Sequence, residues 1–349
     1  MGKSFLFRVL LSAATVAFIS DCSAEDAPSE STLKENSSSL SQDNTRKKII
    51  IDTDIGEDID DILVTAFALN SPEFEVLAIT VVDGDVQARS RITRKLTQLY
   101  GRPEIPVATG YVWDMPLEDY PPWPGSGGVT QGELAPSEEG LPPESPIRAD
   151  ELIAHLARKY PDQIYLLTFG SMTNVGQFLV RYPEESRKLK GIISSHNLAV
   201  DPVAAAITLR SEIPWVFLGM RNIRYAGIVG PESVERIRKA GLPTTDYLAL
   251  AIDLWYINKP DHSDYPHLAD LCTLAYLLGG WFPTYRGNFF ITVPTRLYRT
   301  EYKAIDTSIE ENPDGRVVFG REITKELGLK LNKLFMERIL APPVAMKLR

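Results

Sequence analysis

Five aspartates crowd the stretch IIIDTDIGEDIDDILVTAFAL: Asp52, Asp54, Asp58, Asp60 and Asp61. Carboxylates held this close repel one another, and the usual remedies are a hard divalent cation or a protonated member. A donor set made only of oxygen favours Ca²⁺ or Mg²⁺ over zinc. Downstream, Ile59, Ile62, Leu63, Ala66 and Phe67 follow i, i+3, i+4 spacing, which predicts a helix from about Asp58 to Leu69 with that face buried. At about 100° per residue, Asp58 and Asp61 lie roughly 60° apart, whereas Asp60 sits well round from Asp61. Asp54, Asp58 and Asp61 are therefore expected to converge on one cation. Helix capping and the helix dipole account for one or two acids, not five. An EF-hand fits less well, since Gly56 falls one position early and a strand precedes it.

These residues need a frame, and the chain supplies one by alternation. The apolar run KKIIID, the helix just described, EVLAITVV, a second helix to Tyr100, and IPVATG read as strand, helix, strand, helix, strand. The pattern resumes with a helix around Ala149 to Tyr160, then QIYLLTF, a helix after Thr173, LKGIIS, a helix around Val203, and PWVFLG. Such alternation predicts an α/β fold with an open, mostly parallel sheet flanked by helices. Further helices are expected towards the C-terminus, at Leu268 to Leu278 and Thr324 to Leu340, with a strand at FFITV. Ligands bind such sheets at the carboxyl ends of the strands, where the aspartates fall. Residues 115–146, rich in Pro and Gly, are too long for an idle connection and are expected to lie over the site.

DTDIGEDIDD with its apolar helix, AITVVDGD and IPVATG together resemble the opening of the calcium-dependent nucleoside hydrolases of the inosine-uridine preferring type. The resemblance extends to about residue 280. It implies a Ca²⁺ that grips the ribose hydroxyls and a water, with an aspartate taking the water's proton during attack on the anomeric carbon. Carried onto this chain, it makes Asp54 metal ligand and general base and Asp61 a second ligand. The stretch between Asp54 and the Asp60-Asp61 pair is two residues longer than the commonest family pattern, so Asp58 and Asp60 compete for one place. Helix geometry favours Asp58. The resemblance further implies the Phe169 carbonyl, in LLTFGSMTNVG, and Asp270, in LADLCTLAYLL, as calcium ligands. The resemblance also puts Asp85, in VVDGD, where many members have Asn near the metal and sugar, although Gly84-Asp85 also reads as a plain turn. Thr173 and Asn174 are expected to cap the following helix.

The same resemblance breaks at the end that would face the base. Ala269 stands where family members carry a histidine that assists the departing base. The histidines are His155, His196, His262 and His267; His155 is expected to be structural, while His267, in a loop just before Asp270, is the candidate acid. SSHNLAVDP resembles the sugar-binding Glu-Phe-Asn segment, which places Asn197 on the ribose, Ser195 at the Glu position and His196 at the Phe position, either as packing or as a base contact. Protonation of a leaving base is worth about 10² to 10⁴ in rate, so the substrate either meets His267 or a tyrosine, or carries a base that leaves unprotonated, such as nicotinamide. Two other classes compete: a catalytically weak Ca²⁺-dependent ribose- or polyol-binding protein, and a haloacid-dehalogenase-like phosphatase built on Asp52, Asp54 and Thr168.

Composition narrows the field. The chain has 349 residues, 44% hydrophobic and 24% charged, with net charge −9, so it offers no basic field for a nucleic acid. Lys3 and Arg8, the apolar run Val9 to Ile19 and the small residues of Cys22-Ser23-Ala24 resemble a signal peptide, residues 1–24, and imply a secreted or periplasmic protein. Lipidation at Cys22 is the weaker alternative, because Asp21 precedes it. The apolar run is about half the ~20 residues of a membrane-spanning helix, and no integral membrane segment is expected after processing. Residues 25–46 are Ser-rich and without periodicity, a flexible tether to a single domain at 47–349. The expected partners are a small riboside and, as the resemblance implies, further copies of the chain.

Overall fold

Three consecutive isoleucines make β1 (Lys47–Thr53) apolar on both faces, and the strand is buried from Ile49 onward. Such a strand belongs at the centre of a parallel sheet. It pairs in parallel with β2 (Phe74–Val81) on one side and β4 (Ile164–Thr168) on the other. Ile49 and Ile51 enter the core on one face and Ile50 the core on the other, as the two-residue period of a strand requires. The computed structural model describes residues 46–112, 132–198, 200–219, 227–258, 265–292 and 306–344. The expected signal peptide and nearly all of the Ser-rich segment lie outside the described residues, and the chain from Thr45 onward forms one unit.

Beyond β2 lies β3 (Val107–Thr109); beyond β4 come β5 (Gly191–Ser194), β6 (Trp215–Phe217) and β9 (Val317–Gly320), all parallel. Two antiparallel strands, β7 (Thr284–Thr292) and β8 (Asp306–Glu311), complete the sheet in the order β3-β2-β1-β4-β5-β6-β9-β7-β8. On the first face lie α1 (Asp60–Leu69), α8 (Pro243–Asn258), α9 (Leu271–Leu278) and α10 (Lys325–Leu340). On the second lie α3 (Ala149–Lys159), α4 (Thr173–Arg181) and α6 (Pro202–Arg210). The remaining α-helices among the described residues are α2 (Val86–Leu99), α5 (Pro183–Ser186) and α7 (Pro231–Lys239).

The expected α/β sheet is present, and each strand expected before residue 220 has its counterpart. Two features differ from expectation. FFITV is part of a longer strand, and β8 and β9 follow it, so the C-terminal region returns to the sheet before its last helix. Of the long loop, residues 115–131 fall outside the described residues, while the following segment is bound to α2. There Arg94 pairs with Glu138 at 2.8 Å and donates to the Pro142 carbonyl, and Ser90 donates to Glu144.

Topology now fixes where chemistry can sit. From β1 the chain builds β2 and β3 outward on one side, then crosses to β4 on the other. The connections at the carboxyl ends of β1 and β4 thus diverge and leave a crevice between them.

Candidate active site

Into that crevice β1 delivers Asp52 and Asp54, and the start of α1 delivers Asp60 and Asp61, all buried. Asp270, immediately before α9, is buried against them from the first face. Carboxylate oxygens of Asp60, Asp61 and Asp270 lie within 4.8 Å of one another. The Thr53 hydroxyl donates to Asp61, and the Ser195 hydroxyl donates to Asp270. Asp54 Oδ1 and Asp270 Oδ2 are buried with no hydrogen-bond partner among the described residues. Burial first, and then mutual repulsion, raises every one of these acids: Asp60 is pushed up to about 7, and Asp61 and Asp270 well above the usual range. Asp54 is raised by burial and by Asp83 against the pull of Arg89. Unpartnered, buried, mutually repelling oxygens are the donor set a hard divalent cation satisfies, so the residues present fit Ca²⁺ or Mg²⁺.

Two of the expected site residues take other places. Asp58 is exposed and accepts the indole N–H of Trp255 at 2.8 Å, outside the cluster; Asp60 faces inward instead. The angular argument for Asp58 assumed a helix already running at that position, whereas α1 starts at Asp60 with Ile59 as its cap. Asp85 is also exposed and caps α2, accepting from the amides of Gln87 and Ala88 at 3.1 and 2.9 Å. Asp83, at φ 59, is the buried acid of that turn and repels Asp54. His155 lies exposed on α3 rather than packed, and His262 lies outside the described residues.

Other expected residues are brought together. Phe169 follows β4, and its carbonyl accepts the Asn197 side-chain amide at 2.8 Å; the same amide lies 3.4 Å from Asp54 Oδ2. Asn197 holds φ 46, a left-handed conformation that Asn tolerates better than most residues. Ser195 Oγ lies 3.0 Å from His196 Nδ1, which is itself 3.7 Å from Asp270 Oδ1. Burial lowers the His196 pKa; Asp54 and Asp58 oppose that shift, and His267 reinforces it. His267 is half-buried, and its backbone forms an antiparallel bridge with Ile228.

Sequence reasoning missed the buttress behind the site. Asn174 does not cap α4; its amide donates to Asp52 Oδ1 at 2.7 Å and to the Val81 carbonyl, and its own oxygen takes the Tyr111 amide. Thr173 donates to Asp201. Arg89, fully buried, was missed as well, because in a helix that also carries Arg91, Arg94 and Lys95 nothing in sequence marks which cation turns inward.

Residues 49–327 match the family model of the inosine-uridine preferring nucleoside hydrolases. The chain belongs to that family. Among curated members, it is 31% identical to the pyrimidine-specific ribonucleoside hydrolase RihA of Klebsiella pneumoniae over 253 residues, 66% of this chain and 79% of that one. The Salmonella paratyphi B protein of the same name is 32% identical over 253 residues, with the same coverage. A solved purine-preferring ribonucleoside hydrolase from Gardnerella vaginalis superposes with a TM-score of 0.69 at 21% identity, covering 84% of this chain and 98% of its own. That likeness carries the fold. As a nucleoside hydrolase, the protein cleaves the N-glycosidic bond of ribonucleosides, and the phosphatase reading falls away.

Proposed function

We propose that this nucleoside hydrolase works with one divalent cation, Ca²⁺, held by Asp54, Asp60, Asp61, Asp270 and the Phe169 carbonyl, and that its substrates are pyrimidine ribonucleosides. The observation that carries the reading is the buried Asp60, Asp61 and Asp270 oxygens within 4.8 Å, beside an unpartnered Asp54 oxygen. The pyrimidine assignment is supported by the relatives named for that specificity. When bound, such a cation supplies charge that acidifies a coordinated water and draws in a vicinal diol.

The chain's own groups supply the rest. Asp54 takes the proton of the attacking water on its unpartnered Oδ1, and the Asn197 amide near Oδ2 restrains the carboxylate. The ionised acids around the ribose favour the positive charge that develops there in an oxocarbenium-like transition state. Ala269 offers no proton to the departing base, and His267 donates it instead, with His196 as its neighbour. Export and self-association, expected from the leader and the family resemblance, belong to the same proposal; cell fractionation and light scattering check them.

The test is product analysis of the purified protein with Ca²⁺ or EDTA against uridine, cytidine, inosine and nicotinamide riboside, for wild type and His267→Ala. Calcium-dependent release of ribose, fastest from uridine or cytidine and slowed about 10² to 10⁴-fold in the variant, is the expected result. Equal rates in EDTA would end the metal reading. Ribose-dependent stabilisation by Ca²⁺ without any release would identify a binding protein.

A further inference from the structure

The segment Ile55 to Ile59 is held at both edges by side chains from other helices. On one edge stands Arg89 of α2, which is fully buried. Its Nη1 donates to the Ile55 carbonyl at 3.0 Å, Nη2 to the Glu57 carboxylate at 3.2 Å, and Nε to the Asp83 carbonyl at 2.8 Å. One guanidinium thereby ties the loop after β1 to the loop after β2. Gly84, at φ +57, closes over it: a Cβ there would come within 2.8 Å of Nη2. On the other edge the Trp255 indole N–H from α8 donates to Asp58, which also accepts the Ile59 amide at 2.7 Å.

A fully buried cation persists only where it is paired and hydrogen-bonded, so Arg89 is costly unless the loop keeps this shape. The loop leads directly into Asp60 and Asp61, and its shape sets where their carboxylates lie. We propose that Arg89 and Trp255 are positioning residues that clamp the Ile55–Ile59 loop between α2 and α8 and hold Asp60 and Asp61 in place before any cation arrives. The proposal rests on the metal reading above, and within the loop Glu57 and Asp58 supply one partner for each clamp.

Electrostatics alone gives the opposite expectation for Arg89. A positive charge near the acids repels an incoming cation, so its removal should tighten binding; the clamp requires that its removal weaken binding. Lysine keeps the charge but lacks the planar fork that reaches three acceptors. Trp255→Phe removes the N–H donor along with part of the ring, keeps an aromatic side chain at a buried position and leaves all charges unchanged.

The experiment is calorimetric titration of Ca²⁺ into metal-free full-length wild type, Arg89→Lys, Arg89→Met and Trp255→Phe, with hydrogen exchange of residues 54–61 followed without metal. Expected are about 10- to 100-fold weaker Ca²⁺ binding in each variant and faster exchange confined to that segment, with kcat recovered at saturating Ca²⁺. Tighter binding by Arg89→Met, or unchanged exchange in Arg89→Lys and Trp255→Phe, overturns the clamp. If wild type binds no Ca²⁺, the metal reading fails and exchange alone decides the clamp. If the arginine variants do not fold, Trp255→Phe decides it.

Discussion

Adjacent aspartates in this chain differ in what surrounds them more than in sequence context. Asp58 is exposed and accepts an indole N–H, whereas Asp60 is buried beside Asp61 and Asp270. Replacing each by asparagine separates their roles. Asp58→Asn keeps the oxygen that Trp255 needs and should change stability by no more than about 0.5 kcal/mol, with Ca²⁺ affinity preserved. Asp60→Asn removes a charge from the cluster and should weaken Ca²⁺ by at least the about 10-fold that loss of an outer partner costs. Calorimetry on the two variants checks this, and the reverse order would put Asp58 back in the site. The acidic run announces a metal site in sequence, but the choice between these two residues was not legible. It turns on where the helix begins, and that is Asp60. Asp83 was hidden for a related reason, since both acids of VVDGD suit a turn and only the backbone shows which one turns inward.

At the scale of elements, the central strands were legible because burial on both faces leaves continuous apolar runs such as Ile49 to Ile51. The C-terminal strands were not: β9 is four residues, VVFG, and periodicity cannot classify so short a run. Nor could sequence show how closely the connections after β1 and β4 approach. A Cβ on Gly170 would lie 2.5 Å from Val82 Cγ1 and 2.9 Å from the Asp54 backbone nitrogen. Backbone at the end of β1 cannot yield without moving Asp54, so Gly170→Ala is expected to cost about 1–3 kcal/mol, as overpacking does. Activity should fall further than stability explains. Chemical denaturation and kcat/KM on the same variant check both, and a destabilised enzyme of unchanged kcat/KM would show that the two connections adjust independently.

For the molecule as a whole, the buried acids set the direction in which stability follows pH. Burial pushes Asp52 and Asp60 up to about 7, well above the ordinary carboxylate range, and Asp61 and Asp270 are also raised. A carboxyl whose folded-state pKa lies above its unfolded value takes up its proton first in the folded state, so folding is favoured at low pH and loses stability as pH climbs through the window from about 4 to about 7. Metal-free protein should therefore melt at a higher temperature near about pH 5 than near about pH 8, the reverse of a protein whose acids are held ionised by salt bridges. Asp52→Asn keeps an oxygen for the Thr80 hydroxyl and the Asn174 amide while removing one titrating group, and it should flatten that slope. Cation binding needs the same carboxylates ionised, so Ca²⁺ competes with protons and its affinity should rise with pH across this window. At about 100 times Kd a ligand adds about 2.7 kcal/mol to the folded state, enough to offset much of the loss near pH 8. Melting curves in EDTA and in Ca²⁺ at the two pH values decide the matter. Calcium should raise the midpoint more at the higher pH, and equal increments at both would mean that the protons and the cation do not share these acids.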